Sequence, residues 1–96
     1  MRKLHQQAKA REDLKNIWLY SFKEYGEQQA DKYYDELIVG MESIENNPKI
    51  GVACDYIRSG YRQYQINKHF IFYRLSEKNI HIIRVLHERM KFKEHI

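Results

Sequence analysis

Several side chains able to hold an anion or move a proton fall between residues 62 and 87: Arg62, His69, Tyr73, Arg74, His81, Arg84 and His87. Arginines can neutralise a phosphate, and a histidine or tyrosine within hydrogen-bond reach can take or return a proton. Tyr73, Arg62, Arg74, Arg84, His69 and His87 therefore make a parts list for acid–base chemistry, provided that the fold brings them together. In the ordinary alternative the tyrosines pack, the arginines pair with Asp or Glu, and the histidines are satisfied or exposed. A metal site from His69, His81 and His87 is disfavoured. On a strand, residues 81 and 87 share a face but stand about 20 Å apart, too far to share an ion. The single cysteine, Cys54, has no internal partner and no ligand at zinc-site spacing, so it is expected to be a buried or idle thiol. No catalytic residue, metal or cofactor is assigned.

The elements that position these residues are predicted from periodicity. Residues 2 to 6 form at most a short first strand at a sheet edge. From about Ala8 to Tyr25 the residues Ala10, Leu14, Ile17, Trp18, Ser21 and Tyr25 fall on one helical stripe. Gly26 follows, where a left-handed helix ending costs least. A second helix repeats Ala30, Tyr34, Leu37, Met41 and Ile44 at intervals of four and three, and Asn46, Asn47 and Pro48 end it. Lys49 to Ser59 reads as an ordered loop pinned by Ile50, Val52 and Ile57. Tyr61 to Ile66 alternates as a strand, Asn67 and Lys68 reverse the chain into His69 to Leu75, and Ser76 to Asn79 make the turn into a last strand.

The expected fold class is α+β: a short N-terminal strand, a two-helix antiparallel hairpin, then a three-stranded antiparallel meander, in the order β-α-α-β-β-β. In the last two strands both alternating sets are apolar, with Phe70 and Phe72 against Ile71 and Tyr73, and Ile82 and Leu86 against Ile83 and Val85. Two helices cover only one face. Either a partner covers the rest, or the first strand, the loop and the C-terminal tail do.

The 96 residues suit one domain, 1–96, that buries roughly 60 to 65% of its unfolded surface. With no stretch near the ~20 apolar residues of a membrane span and no apolar core of a signal peptide at its start, the chain is expected in the cytoplasm. Its net charge of +4 is segregated: residues 1–57 hold eight Lys/Arg against ten Asp/Glu, and residues 58–96 hold nine against three. A basic C-terminal part attracts acidic surfaces or nucleic acid.

The chain resembles the ParE branch of the ParE/RelE toxin superfamily along nearly its whole length. The likeness is carried by Ala10-Arg11-Glu12-Asp13-Leu14 with Ile17-Trp18 and Tyr20, Tyr25-Gly26-Glu27 with Gln29-Ala30, Asn47-Pro48 with Gly51, and Cys54-Asp55 with Ile57-Arg58 and Gly60-Tyr61-Arg62. Most specific are Ile71-Phe72-Tyr73-Arg74, Arg84-Val85-Leu86-His87-Glu88-Arg89-Met90 and the ending His95-Ile96. It departs from the family in its first strand, which is shorter and less apolar. The resemblance implies a plasmid-stabilisation type of bacterial toxin that inhibits DNA gyrase. It also implies a hetero-oligomer with a ParD-like antitoxin, through which alone the pair contacts DNA. On this reading Arg84, His87, Arg89 and Met90 face gyrase, and Leu19, Phe22, Tyr64 and Phe72 face the antitoxin. The other branch, similar to RelE, cleaves messenger RNA on the ribosome, and the parts list above is its counterpart here.

Overall fold

A computed structural model describes all residues, Met1–Ile96. Its elements are β1 (Lys3–Gln6), α1 (Ala8–Tyr25), α2 (Glu27–Asn46), β2 (Val52–Ala53), β3 (Tyr61–Ile66), β4 (His69–Leu75), β5 (Asn79–His87) and α3 (Phe92–His95). The expected order of strand, helix pair and meander is present, with a two-residue β2 and a four-residue α3 in addition. The strands form one sheet in the order β1-β5-β4-β3-β2. β1 runs parallel to β5, and the other neighbours are antiparallel. No helix is long and apolar enough to cross a membrane.

The helical stripes do what their spacing predicts along most of their length. Ala10, Leu14 and Ser21 of α1 and Ala30, Leu37, Met41 and Ile44 of α2 are buried. The stripe fails at the tip of the hairpin: every residue from Phe22 to Gln29 is exposed, and Tyr25 lies open to solvent. Gly26 joins the two helices with φ 90° and ψ 175°. This is a positive-φ but extended conformation, open in practice only to glycine, and not the left-handed helix ending expected. Its N–H donates to the Phe22 carbonyl and its own carbonyl accepts from Ala30, so one residue closes α1 and opens α2.

A β-bulge explains why both apolar sets of β5 are needed. Tyr73 pairs with Ile82 and Phe72 with Arg84, which leaves Ile83 as an extra residue on β5. The bulge shifts the alternation, so that Ile80, Ile82 and then Val85 face the helices with Ile71 and Tyr73. Leu86 turns to the other face with Phe72 and Cys54. That second face is covered from within the chain, by Ile57 of the loop and Phe92 and Ile96 of the tail. Of the two ways to cover the apolar excess, the loop and tail are the ones used; β1 takes no part, since it extends the sheet at its edge.

The loop's expected pins are corrected at two positions. Ile50 and Val52 are exposed, and only Ile57 packs inward, beside the fully buried Cys54. Polar contacts hold the rest. The Tyr73 hydroxyl donates to the Pro48 carbonyl at 2.7 Å and accepts the Gly51 N–H at 2.9 Å. Arg62 donates to the carbonyls of Gly51 and Lys49. A Cβ on Gly51 would stand 2.6 Å from the Tyr73 oxygen, so only glycine permits this approach.

Candidate partner-binding groove and C-terminal tail

β1 pairs with β5 only as far as Ile82, so the remainder of β5 presents a free edge toward α1. A free edge of backbone groups invites pairing with another chain. Here Asp13 of α1 blunts it: Asp13 Oδ2 accepts the Val85 N–H at 3.0 Å. The same carboxylate receives Arg84 Nε at 2.7 Å and Nη2 at 2.9 Å, a two-pronged ion pair in which both side chains are mostly buried. The remaining arm, Nη1, donates to the His95 carbonyl at 2.7 Å. The carboxylate beside it holds the guanidinium pKa above its ordinary value.

Between α1, the start of α2 and this edge lies an open groove of about 970 Å³. Tyr20, Tyr25 and Tyr33 line one side, and His69, His87 and Arg89 the other. His69 and His87 are direct cross-strand neighbours with rings edge to face, 5.1 Å between centroids. The Tyr33 hydroxyl hydrogen-bonds His69 Nδ1, tying α2 to the sheet. Burial, aided by His87, lowers the His69 pKa to about 4, so its imidazole is neutral at pH 7. Burial likewise raises the Tyr33 pKa. His87 Nδ1 accepts the Arg89 N–H at 3.1 Å, across the turn that leaves the strand.

The parts listed for acid–base chemistry do not converge. Tyr73 and Arg62 serve the loop toward the opposite edge of the sheet, Arg84 is spent on Asp13 and His95, and Arg74 pairs in register with His81 near the other end of β5. His81 stacks on His5 of β1, 6.0 Å between centroids, well away from the His69–His87 pair. Burial lowers the His81 pKa, with Arg74 and His5 adding to the shift.

The residues expected to face partners separate in the same way. Arg89 and Met90 are exposed, and His87 is half-buried in the groove. Arg84 is not a free surface cation, because all three of its donor groups are used internally. Leu19 and Phe22 lie exposed on α1, with Phe22 stacked on Trp18 at 5.2 Å. Tyr64 packs at the margin of the helix-side core. Phe72 is fully buried on the opposite face, so it has no surface to offer. Phe72 alternates with Ile71 and Tyr73 along β4, which sets it on that face, under Phe92.

Asp13, present only within the Ala10–Leu14 motif, and Tyr33, which reads as core packing, carry no site role in the sequence. Asp13 had a signal: it sits three residues after Ala10 and four before Ile17, so a carboxylate falls inside an apolar helical stripe and requires a partner there.

Residues 4–92 match a family model described as the ParE toxin of a type II toxin–antitoxin system, parDE. The chain belongs to this family. Toxin ParE1 of Mycobacterium tuberculosis (strain H37Rv) is 42% identical over 82 residues, covering 84% of each chain. Toxin ParE1 of Caulobacter vibrioides is 38% identical over 88 residues, covering 92% of this chain and 91% of its own. The fold is shared with a structure described as the chromosomal ParDE TA system from P. aeruginosa, at TM-score 0.81 and 20% identity over 91% of this chain and 96% of that one. It is shared more loosely with a chain of the E. coli DinJ-YafQ complex, at TM-score 0.55 and 14% identity over 92% and 94%. This ParE-family toxin carries the β-α-α-β-β-β order, and its closing residues 88–96 turn back across the sheet instead of trailing away from it.

Proposed function

We infer that this ParE-family toxin inhibits DNA gyrase by binding, without enzymatic chemistry of its own, and that a ParD-like antitoxin neutralises it in a hetero-oligomer. The observation that carries the reading is the tail. Arg89, Met90, Lys91 and Lys93 are exposed in one short run just past β5, while Phe92 and Ile96 hold that run against the sheet. Glu88 and Glu94 flank these cations, which still exceed them by one, and an exposed, anchored segment with that excess suits an acidic macromolecular surface. The engagement of Tyr73, Arg62 and Arg84 in the framework speaks against a nuclease site. The free edge of β5, the tyrosine side of the groove, and Leu19 and Phe22 on α1 offer an amphipathic antitoxin segment a place to dock. DNA is contacted only through the antitoxin, and the target places the toxin in the cytoplasm.

The test assays purified toxin side by side on gyrase supercoiling and on ribosome-bound messenger RNA. Inhibited supercoiling with intact RNA is expected. A protein lacking residues 90–96 should lose inhibition while its helices stay folded by circular dichroism. A truncated protein that still inhibits would overturn the role of the tail. RNA cut by the wild type but not by a His69→Ala, His87→Ala protein would move the function to the RelE-like alternative.

A further inference from the structure

The tail's orientation depends on two attachments at its two ends. Near the start of α3, the Phe92 ring packs on Phe70 at 5.2 Å and on Phe72 at 4.8 Å. At the end, the His95 carbonyl receives Arg84 Nη1. α3 is four residues long and has no side-chain cap, so it has little stability of its own and stands where these contacts hold it. Ile96 beside His95 packs on the cluster of Cys54, Phe72 and Leu86, while the direction of the His95 carbonyl is set by Arg84, which is aligned by the two oxygens of Asp13. Both side chains are mostly buried, 15% and 13% exposed, so the pair acts in a medium that screens it less than water does.

The geometry points to Asp13 as a positioning residue for target inhibition. From α1, 71 residues from Arg84 in sequence, its carboxylate fixes the β5 edge at Val85 and aims the guanidinium whose third arm sets the end of the tail. Asp13 itself touches no target. It determines how Arg89, Lys91 and Lys93 are presented, because removing the carboxylate leaves a partly buried cation that must seek another partner and release His95. This inference rests on the reading that the tail contacts gyrase.

Two variants test it, each read by gyrase supercoiling, by hydrogen exchange and by thermal melting. Asp13→Asn removes the charge. Arg84→Lys keeps a cation opposite Asp13 but has no second arm for His95. Both should raise the toxin concentration for half-inhibition at least tenfold and speed amide exchange in residues 91–96, while α2 and β3–β4 keep their protection. A role confined to stability would instead loosen the whole sheet. If Asp13→Asn fails to fold, Arg84→Lys decides. Half-inhibition at the wild-type concentration by either folded variant overturns the inference. So does lost inhibition with unchanged tail exchange, since Arg84 would then act by direct contact. The protein lacking residues 90–96 separates this failure from that of the functional reading. If it inhibits, the tail reading fails; if it is inert while both variants inhibit fully, only the role of Asp13 fails.

Discussion

His69 shows how one side chain links the groove to pH. Its pKa is brought down to about 4, and burial is the largest cause, followed by repulsion from His87, with Asp13 acting in the opposite sense. Tyr33 holds its Nδ1, and Glu36 and Glu88 lie near that tyrosine. The unfolded chain takes up this proton near the ordinary value of 6.5, whereas the folded protein does so only near 4. Between those values the unfolded state binds more protons, so stability is greatest above 6.5 and falls as the solution is acidified toward 4. His69→Gln keeps an acceptor near Tyr33 but cannot titrate. Melting temperatures followed across that window should decline for the wild type and decline less steeply for the variant. Parallel curves would show that other groups set the acid limb.

At the scale of elements, the helical hairpin turns on Gly26. Nothing lies within 4 Å of a Cβ placed there, so steric crowding is absent and the backbone conformation alone decides the cost. Gly26→Ala should lower stability by about 1–3 kcal/mol, with a drop in melting temperature of about 4–8 °C for each kcal/mol. An urea midpoint equal to that of the wild type would mean that the joint relaxes into another turn. The stripe Ala30, Leu37, Met41 and Ile44 was legible in the sequence because helical burial repeats over neighbouring turns. The Asn67 reversal was legible for a similar local reason: asparagine tolerates the φ of 53° found there. The bulge at Ile83 was not legible. Every residue from Ile80 to Val85 except His81 and Arg84 is an apolar strand former, so nothing in the run marks where the alternation shifts. Tail return and the Asp13–Arg84 pair were hidden for a different reason. They join segments far apart in sequence, and periodicity carries no information about such contacts. The assignment of Phe72 to a partner surface failed because its cover, Phe92, lies in that returning tail.

At the scale of the whole molecule, the charge division at residue 58 acquires a geometry. The acidic part supplies β1, the helical hairpin, β2 and most of the loop, and the basic part supplies β3 to β5 and the tail. Arg89 lines the groove, and Lys91 and Lys93 are exposed a few residues further on, with Glu88 and Glu94 in the same run, so part of the basic excess stands where both proposed partners would arrive. Such a field acts over about 30 Å at 0.01 M salt but only about 8 Å at physiological ionic strength. Encounter with an acidic antitoxin should therefore slow with added salt, by roughly tenfold or more across that range, while dissociation changes less. Stopped-flow association of toxin with antitoxin at several salt concentrations measures the slope. Replacing Arg89, Lys91 and Lys93 by glutamine should flatten it, because these substitutions remove long-range attraction without changing the partly buried anchors Phe92 and Ile96. A slope unchanged in the triple variant would place the steering charge elsewhere on the basic sheet and leave the tail to act only after contact.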